Sequence, residues 1–118
     1  MHELAVCQGL MGQIEDIAAR ERAERVTRIL LQIGPLSGVE PLLLQDAFPI
    51  ASAGTVAADA VLDVDAQPVR VRCMQCQAES DASTNKLVCG ECGDYRTQLI
   101  SGDELMLISV ELERRESA

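Results

Sequence analysis

The stretch CMQCQAESDASTNKLVCGEC, residues 73–92, carries four of the chain's five cysteines in two Cys-x-x-Cys pairs, Cys73 with Cys76 and Cys89 with Cys92. Two such turns can aim four thiolates at the corners of one tetrahedron, and zinc suits a closed, all-sulfur site because it is soft enough for thiolate and has no redox chemistry. The twelve residues between the pairs make a loop slightly shorter than the usual ribbon spacing. Other occupants and roles fit less well. A redox dithiol needs one reactive pair beside a helix rather than two matched pairs. A nucleic-acid-binding ribbon wants basic and aromatic residues among the cysteines, whereas Glu79, Asp81, Glu91 and Asp94 stand there with only Tyr95. A four-thiolate iron centre stays open on these residues.

Outward from the quartet, residues 69–100 hold small polar side chains and few large apolar ones, so this segment cannot bury a core of its own. Periodic stretches flank it. Ala60 to Ala66 alternates, with Leu62, Val64 and Ala66 on one side and Asp63 and Asp65 on the other. Glu104 to Glu113 sets Met106, Ile108, Val110 and Leu112 on one face, the side expected to meet the core. The cysteine segment therefore reads as an insertion between two strands, a 69–100 zinc-binding lobe set into a body made of residues 1–68 and 101–118.

That body begins with a helical stripe, Leu4, Cys7, Leu10, Met11, Ile14, Ile17 and Ala18, spaced by threes and fours from about Leu4 to Ala19. Arg25 to Ile33 then switches to period two, with Thr27, Ile29, Leu31 and Ile33 on one face, and Gly34-Pro35 ends it. Pro41 is suited to the first position of a second helix running to about Ala53, which puts Glu40 at the cap. Pro49 predicts a kink or an early end near Phe48, because it cannot donate to the carbonyl of Gln45. The fold class is α+β: two helices packed on a small three-stranded sheet, with an inserted four-cysteine, zinc-ribbon-like lobe. The tail 114–118 is expected to fray. Cys7, on the apolar stripe, reads as a small buried hydrophobe, with a role near an N-terminal metal site as the alternative.

Composition removes several function classes. A formal charge of -9 over 118 residues repels phosphate backbones, so nucleic acid is not an expected partner. No apolar run approaches the roughly 20 residues of a membrane span, and the N-terminus lacks the basic-then-apolar order of a signal peptide, so a cytoplasmic protein with reduced thiols is expected. One Phe, one Tyr and no Trp leave an aliphatic core that a metal staple would help. With a single histidine, neither a Ser-His-Asp set nor an open three-ligand metal site can be assembled, so no enzyme is expected.

That histidine is His2, followed by Glu3 at the start of the first helix. Taken alone it reads as a solvated polar residue, Glu3 as favourable charge at a helix N-terminus, and Glu40 as a cap. With Met1 retained, however, His2 offers an amide nitrogen rather than a free amine. Ni(II) takes square-planar nitrogen ligation readily, and an imidazole with the amide nitrogens of His2 and Glu3 would form fused chelate rings, an exposed and pH-sensitive site with Glu3 and Glu40 as carboxylate helpers.

The segments MHELAVC, GPLSGVEP followed by LLLQDAF, the two Cys-x-x-Cys pairs and ISGDEL together resemble the HypA/HybF hydrogenase nickel-incorporation proteins along essentially the whole chain. The resemblance implies a nickel metallochaperone, with nickel as transient cargo on His2 and Glu3, Glu40 as a candidate helper, and structural zinc on Cys73, Cys76, Cys89 and Cys92. It implies work with a GTPase maturation partner to load the large-subunit precursor of nickel-iron hydrogenase; the sequence leaves both a monomer and a homodimer open. Pro49 departs from the continuous helix the family usually shows there. The competing reading is a structural zinc-ribbon adaptor that binds only proteins.

Overall fold

The structure, a computed structural model, describes residues 2–114. The first helix, α1 (Glu3–Arg20), carries Glu3 in its first turn and Arg20 in its last, each complementing the helix dipole. Its stripe of Cys7, Leu10, Met11, Ile14 and Ala18 is buried. Arg22, at φ 56, turns the chain into β1 (Ala23–Ile33). A short 3-10 turn over Pro35–Ser37 leads to α2 (Pro41–Ser52), whose Leu44 and Phe48 face inward. The strand β2 (Val61–Ala66) follows, then β3 (Arg70–Cys73), β4 (Glu79–Asp81), β5 (Thr97–Ser101) and β6 (Leu105–Arg114).

Two three-stranded sheets result, β2-β1-β6 and β4-β3-β5. In the first, β1 is central, parallel to β2 and antiparallel to β6. Parallel neighbours need a crossover, which α2 supplies. Both helices lie on one face of this sheet, and Ile14, Ile29, Leu31 and Leu44 are at most 1% exposed where the layers meet. Each contributes about 1.5–3 kcal/mol by leaving water. The second sheet is built from the cysteine segment and is antiparallel throughout. A radius of gyration of 18.1 Å exceeds the ~13.5 Å of one compact body of this length. Among the described residues no helix is long and apolar enough to cross a membrane.

The α+β class and the helix-strand-helix-strand, insert, strand order agree with the sequence reading, but the inward faces of two strands shift. In β1 the register jumps between Val26 and Arg28, leaving Thr27 as a bulge. Val26 is therefore the buried residue, and Thr27 Oγ1 donates to the Glu111 carbonyl instead. In β6 the extra residue is Ile108, between partners of Leu30 and Leu31. It reverses the alternation, so Leu107, Val110 and Leu112 pack on the core while Met106 and Ile108 face away. A bulge inserts one residue and flips the facing of every later residue in its strand, which period-two counting cannot see.

Helix α2 does not end near Phe48; it runs through Pro49 to Ser52. Pro49 is exposed, so the Gln45 carbonyl it fails to bond lies on the watered side, and only one turn remains beyond it. Pro49→Ala, which restores that donor, is expected to stabilise the chain by about 1–3 kcal/mol, measured as a raised denaturation midpoint with an unchanged denaturant slope. Arg114, expected to fray, instead ends β6 with its guanidinium on the carbonyl and carboxylate of Glu21; the rest of the tail, 115–118, lies outside the described residues.

Candidate metal centres

The four paired cysteines converge. Their sulfurs lie within 4.8 Å of one another, and two cross-pair distances, Cys73 to Cys92 and Cys76 to Cys89, are both 3.6 Å. Zinc–sulfur bonds of about 2.3 Å set a tetrahedral edge of about 3.8 Å, so the quartet matches a closed zinc tetrahedron with little adjustment. Each pair forms the same turn. Cys73 Sγ accepts the N–H groups of Gln75 and Cys76, and Cys89 Sγ accepts those of Glu91 and Cys92. The turns close through Gln77 N–H to the Cys73 carbonyl and Gly93 N–H to the Cys89 carbonyl, at 3.0 and 2.9 Å. Closure needs a left-handed residue after the second cysteine, and Gln77 (φ 67) and Gly93 (φ 77) occupy those places.

These amides polarise the quartet. The Cys89 thiol is brought down to about 6, chiefly by the Cys92 and Glu91 N–H groups, and Cys73 is lowered, first by the Cys76 N–H. Cys92 is pushed up to about 12: the Asp94 N–H favours its thiolate, but hydrogen bonding with the Cys73 sulfur and burial outweigh it. Cys76 is also raised, its Ala78 N–H outweighed by the Cys89 sulfur and burial. Four thiolates at this spacing repel one another, and a divalent cation among them is what stabilises all four. Around them, Asp94 clamps Arg96, which brings its own carboxyl down to about 2; Thr97 Oγ1 donates to the Leu87 carbonyl and Ser80 Oγ accepts from Gly90.

At the other end of the chain, His2 sits as the N-cap of α1, exposed, with Nε2 3.7 Å from Glu3 Oε2. Glu3 is only 8% exposed. Its carboxylate points to the start of α2 and accepts the Glu40 N–H at 3.4 Å. That bond, first among several contributions, holds the Glu3 carboxyl below the usual carboxylate range. The brace therefore stabilises the fold above that range, and is lost as pH falls through the lowered value. Glu40 is the α2 N-cap but forms no capping bond with its own side chain; Glu3 serves that helix end in its place, from a distant point in the sequence. So the structure joins His2, Glu3 and Glu40, with Glu40 entering through its backbone. Cys7 is fully buried, its Sγ donating to the Leu44 carbonyl at 3.5 Å, and its pKa is raised first by burial. This fits the packing role.

The segments GPLSG and SGDE gain a reason from the fold that their sequence does not show. Gly34 N–H donates to the Glu104 carbonyl at 2.9 Å and Leu36 N–H to the Gly102 carbonyl at 2.7 Å, so they are two sides of one junction between the sheets. From there Ser37 Oγ accepts the Val39 N–H, and the next residue, Glu40, meets Glu3. In the sequence only the glycines hint at this close approach.

Over residues 1–112 the chain matches the family described as hydrogenase/urease nickel incorporation, metallochaperone, HypA. It is 45% identical over 112 residues to the hydrogenase maturation factor HypA of Nitrosospira multiformis, covering 95% of this chain and 97% of that protein. To the factor of the same name from Aquifex aeolicus it is 42% identical over 113 residues, covering 96% and 98%. The solution structure of the Ni metallochaperone HypA from Helicobacter pylori superimposes with a TM-score of 0.68 at 26% identity, over 98% of this chain and all of that one. With matching sequence, architecture and a cysteine quartet shaped for zinc, the chain belongs to the HypA family of nickel-incorporation metallochaperones.

Proposed function

We propose that this protein binds one Ni(II) at the start of α1 and delivers it to the large-subunit precursor of nickel-iron hydrogenase, with structural zinc held by Cys73, Cys76, Cys89 and Cys92. The observation that carries the nickel reading is the exposed His2 imidazole at a helix start whose first amides have no intrahelical acceptors. The imidazole and the amide nitrogens of His2 and Glu3 supply the ligands. The Glu3 carboxylate, engaged with Glu40, orients that turn against α2 and gives the cation a negative neighbour. A carrier must surrender its metal, and few side chains on an accessible turn suit that demand.

The working parts divide as a nickel-binding body of residues 1–68 and 101–118 and a zinc lobe of residues 69–100. The role is transfer rather than catalysis, in the cytoplasm, alongside a GTPase maturation partner. Calorimetric titration of the zinc-loaded protein with Ni(II) is expected to give one site per chain, lost in His2→Ala with unchanged circular dichroism. Equal nickel binding by the two proteins would overturn the assignment and leave an adaptor that binds only proteins.

A further inference from the structure

The four paired cysteines are not equivalent. Cys73 and Cys89, the first of each turn, are 0% and 2% exposed, whereas Cys76 and Cys92, the second of each, face solvent. Hydrogen bonding divides them the same way. Cys73 and Cys89 each accept two backbone N–H groups, while Cys76 and Cys92 have one each, from Ala78 and Asp94. An N–H group that shares a thiolate's charge lowers its basicity, and nucleophilicity falls with basicity. The two sulfurs that water reaches are therefore also the two least restrained by amides. Each lies 3.6 Å from a buried sulfur of the opposite turn, Cys92 from Cys73 and Cys76 from Cys89. An accessible thiolate beside a second one able to resolve its oxidised form is the arrangement that peroxide-sensitive cysteines require.

We propose that the four-cysteine lobe is a peroxide-sensitive switch, with Cys76 and Cys92 as the points of attack and Cys89 and Cys73 as their resolving partners. The Cys92 thiolate attacks one oxygen of hydrogen peroxide: an S–O bond forms, the O–O bond breaks and hydroxide leaves, which carries the sulfur to a sulfenic acid. The Cys73 thiolate then attacks that sulfur: an S–S bond forms, the S–O bond breaks and a second hydroxide leaves. Two electrons pass in all from the two sulfurs to the two peroxide oxygens. Cys76 and Cys89 react in the same way. One disulfide removes two of the four thiolates that hold the cation, and a closed site reduced to two ligands releases it. Strands β3, β4 and β5 then keep little apolar burial besides Val69 and Val71, so the oxidised lobe opens while the β2-β1-β6 sheet and its helices persist. Cys7, fully buried with its Sγ on the Leu44 carbonyl, stays outside the switch.

The switch rests on the zinc assignment, which the zinc content of the protein before oxidation tests separately. The zinc-loaded full chain is treated with hydrogen peroxide in the presence of a chromogenic zinc chelator. Zinc is expected to leave at least about tenfold faster than with the chelator alone, and glutathione with added zinc is expected to restore the loaded protein. Dimedone, which traps sulfenic acids, should label Cys76 and Cys92. Protein quenched with acid and alkylated at half release should carry Cys73–Cys92 and Cys76–Cys89 bridges by mass spectrometry, with Cys7 still reduced. Zinc retained until Cys7 is oxidised, dimedone on Cys73 or Cys89 instead, or first bridges formed within one turn overturns the proposal.

Discussion

Removing zinc from the four-cysteine site, by a strong chelator or by Cys89→Ser, is expected to unfold β3, β4 and β5 while α1, α2 and the β2-β1-β6 sheet stay folded. Apart from its cysteines the lobe buries only Val69 and Val71, which leave water with a gain of about 1.5–3 kcal/mol each. Ordering the backbone costs about 1–2 kcal/mol per residue, so over a segment of this length the valines fall far short. Zinc binding in small closed sites supplies on the order of 10–16 kcal/mol, enough to reverse the sign. The core of the α1, α2 and β2-β1-β6 layers, from Cys7 and Ile14 to Leu44 and Phe48, includes none of the four paired cysteines. Hydrogen exchange read by mass spectrometry checks this: amides of 70–101 should lose protection on chelation while those of β1 keep theirs. Cooperative loss across the whole chain would mean that the two sheets form one unit. Since thiolates bind the metal, zinc is expected to leave as pH falls.

Gly34→Ala is expected to be the most damaging single-methyl addition in the chain. A Cβ built on Gly34 would stand 2.1 Å from both the carbonyl carbon and oxygen of Gly102, far inside van der Waals contact. Neither side can yield easily. The Gly34 N–H is bonded to Glu104, and a Cβ on Gly102, at φ 120, would itself meet the Val69 backbone at 3.0 Å. Overpacking of ordinary side chains costs about 1–3 kcal/mol, and a clash against backbone is expected at or above the top of that range. Gly12→Ala is the control: it lies within α1 with nothing inside 4 Å of the added methyl, and should stabilise by about 0.5–1 kcal/mol. Opposite shifts in thermal midpoint are the expected result; a Gly34→Ala protein as stable as wild type would mean that the junction is not as closely packed as it stands.

This junction also ties the zinc lobe to the proposed nickel turn. The strap from Gly34 to Glu40 touches Gly102 and Glu104 at one end and the Glu3 carboxylate at the other. A displaced strap would therefore loosen the Glu3 brace without altering any proposed nickel ligand.

The sequence by itself determined the helices, the succession of helices and main-sheet strands along the chain and the cysteine quartet, because each is a local pattern: a three-and-four stripe in α1, alternation in β2, and matched Cys-x-x-Cys turns whose geometry depends on a few adjacent residues; the strands β3, β4 and β5 and the order of strands within each sheet came only from the structure. His2 and Glu3 were legible only through the company of the other motifs, since one histidine has no periodicity. The tertiary structure alone decided the inward faces of β1 and β6, because a bulge becomes visible only when a strand is laid against its neighbour. It alone tolerated Pro49, by setting it on the exposed side of α2. It alone joined Glu3 to Glu40 and Gly34 to Gly102. Such contacts between residues far apart in the chain come from how layers stack, and no local spacing encodes them.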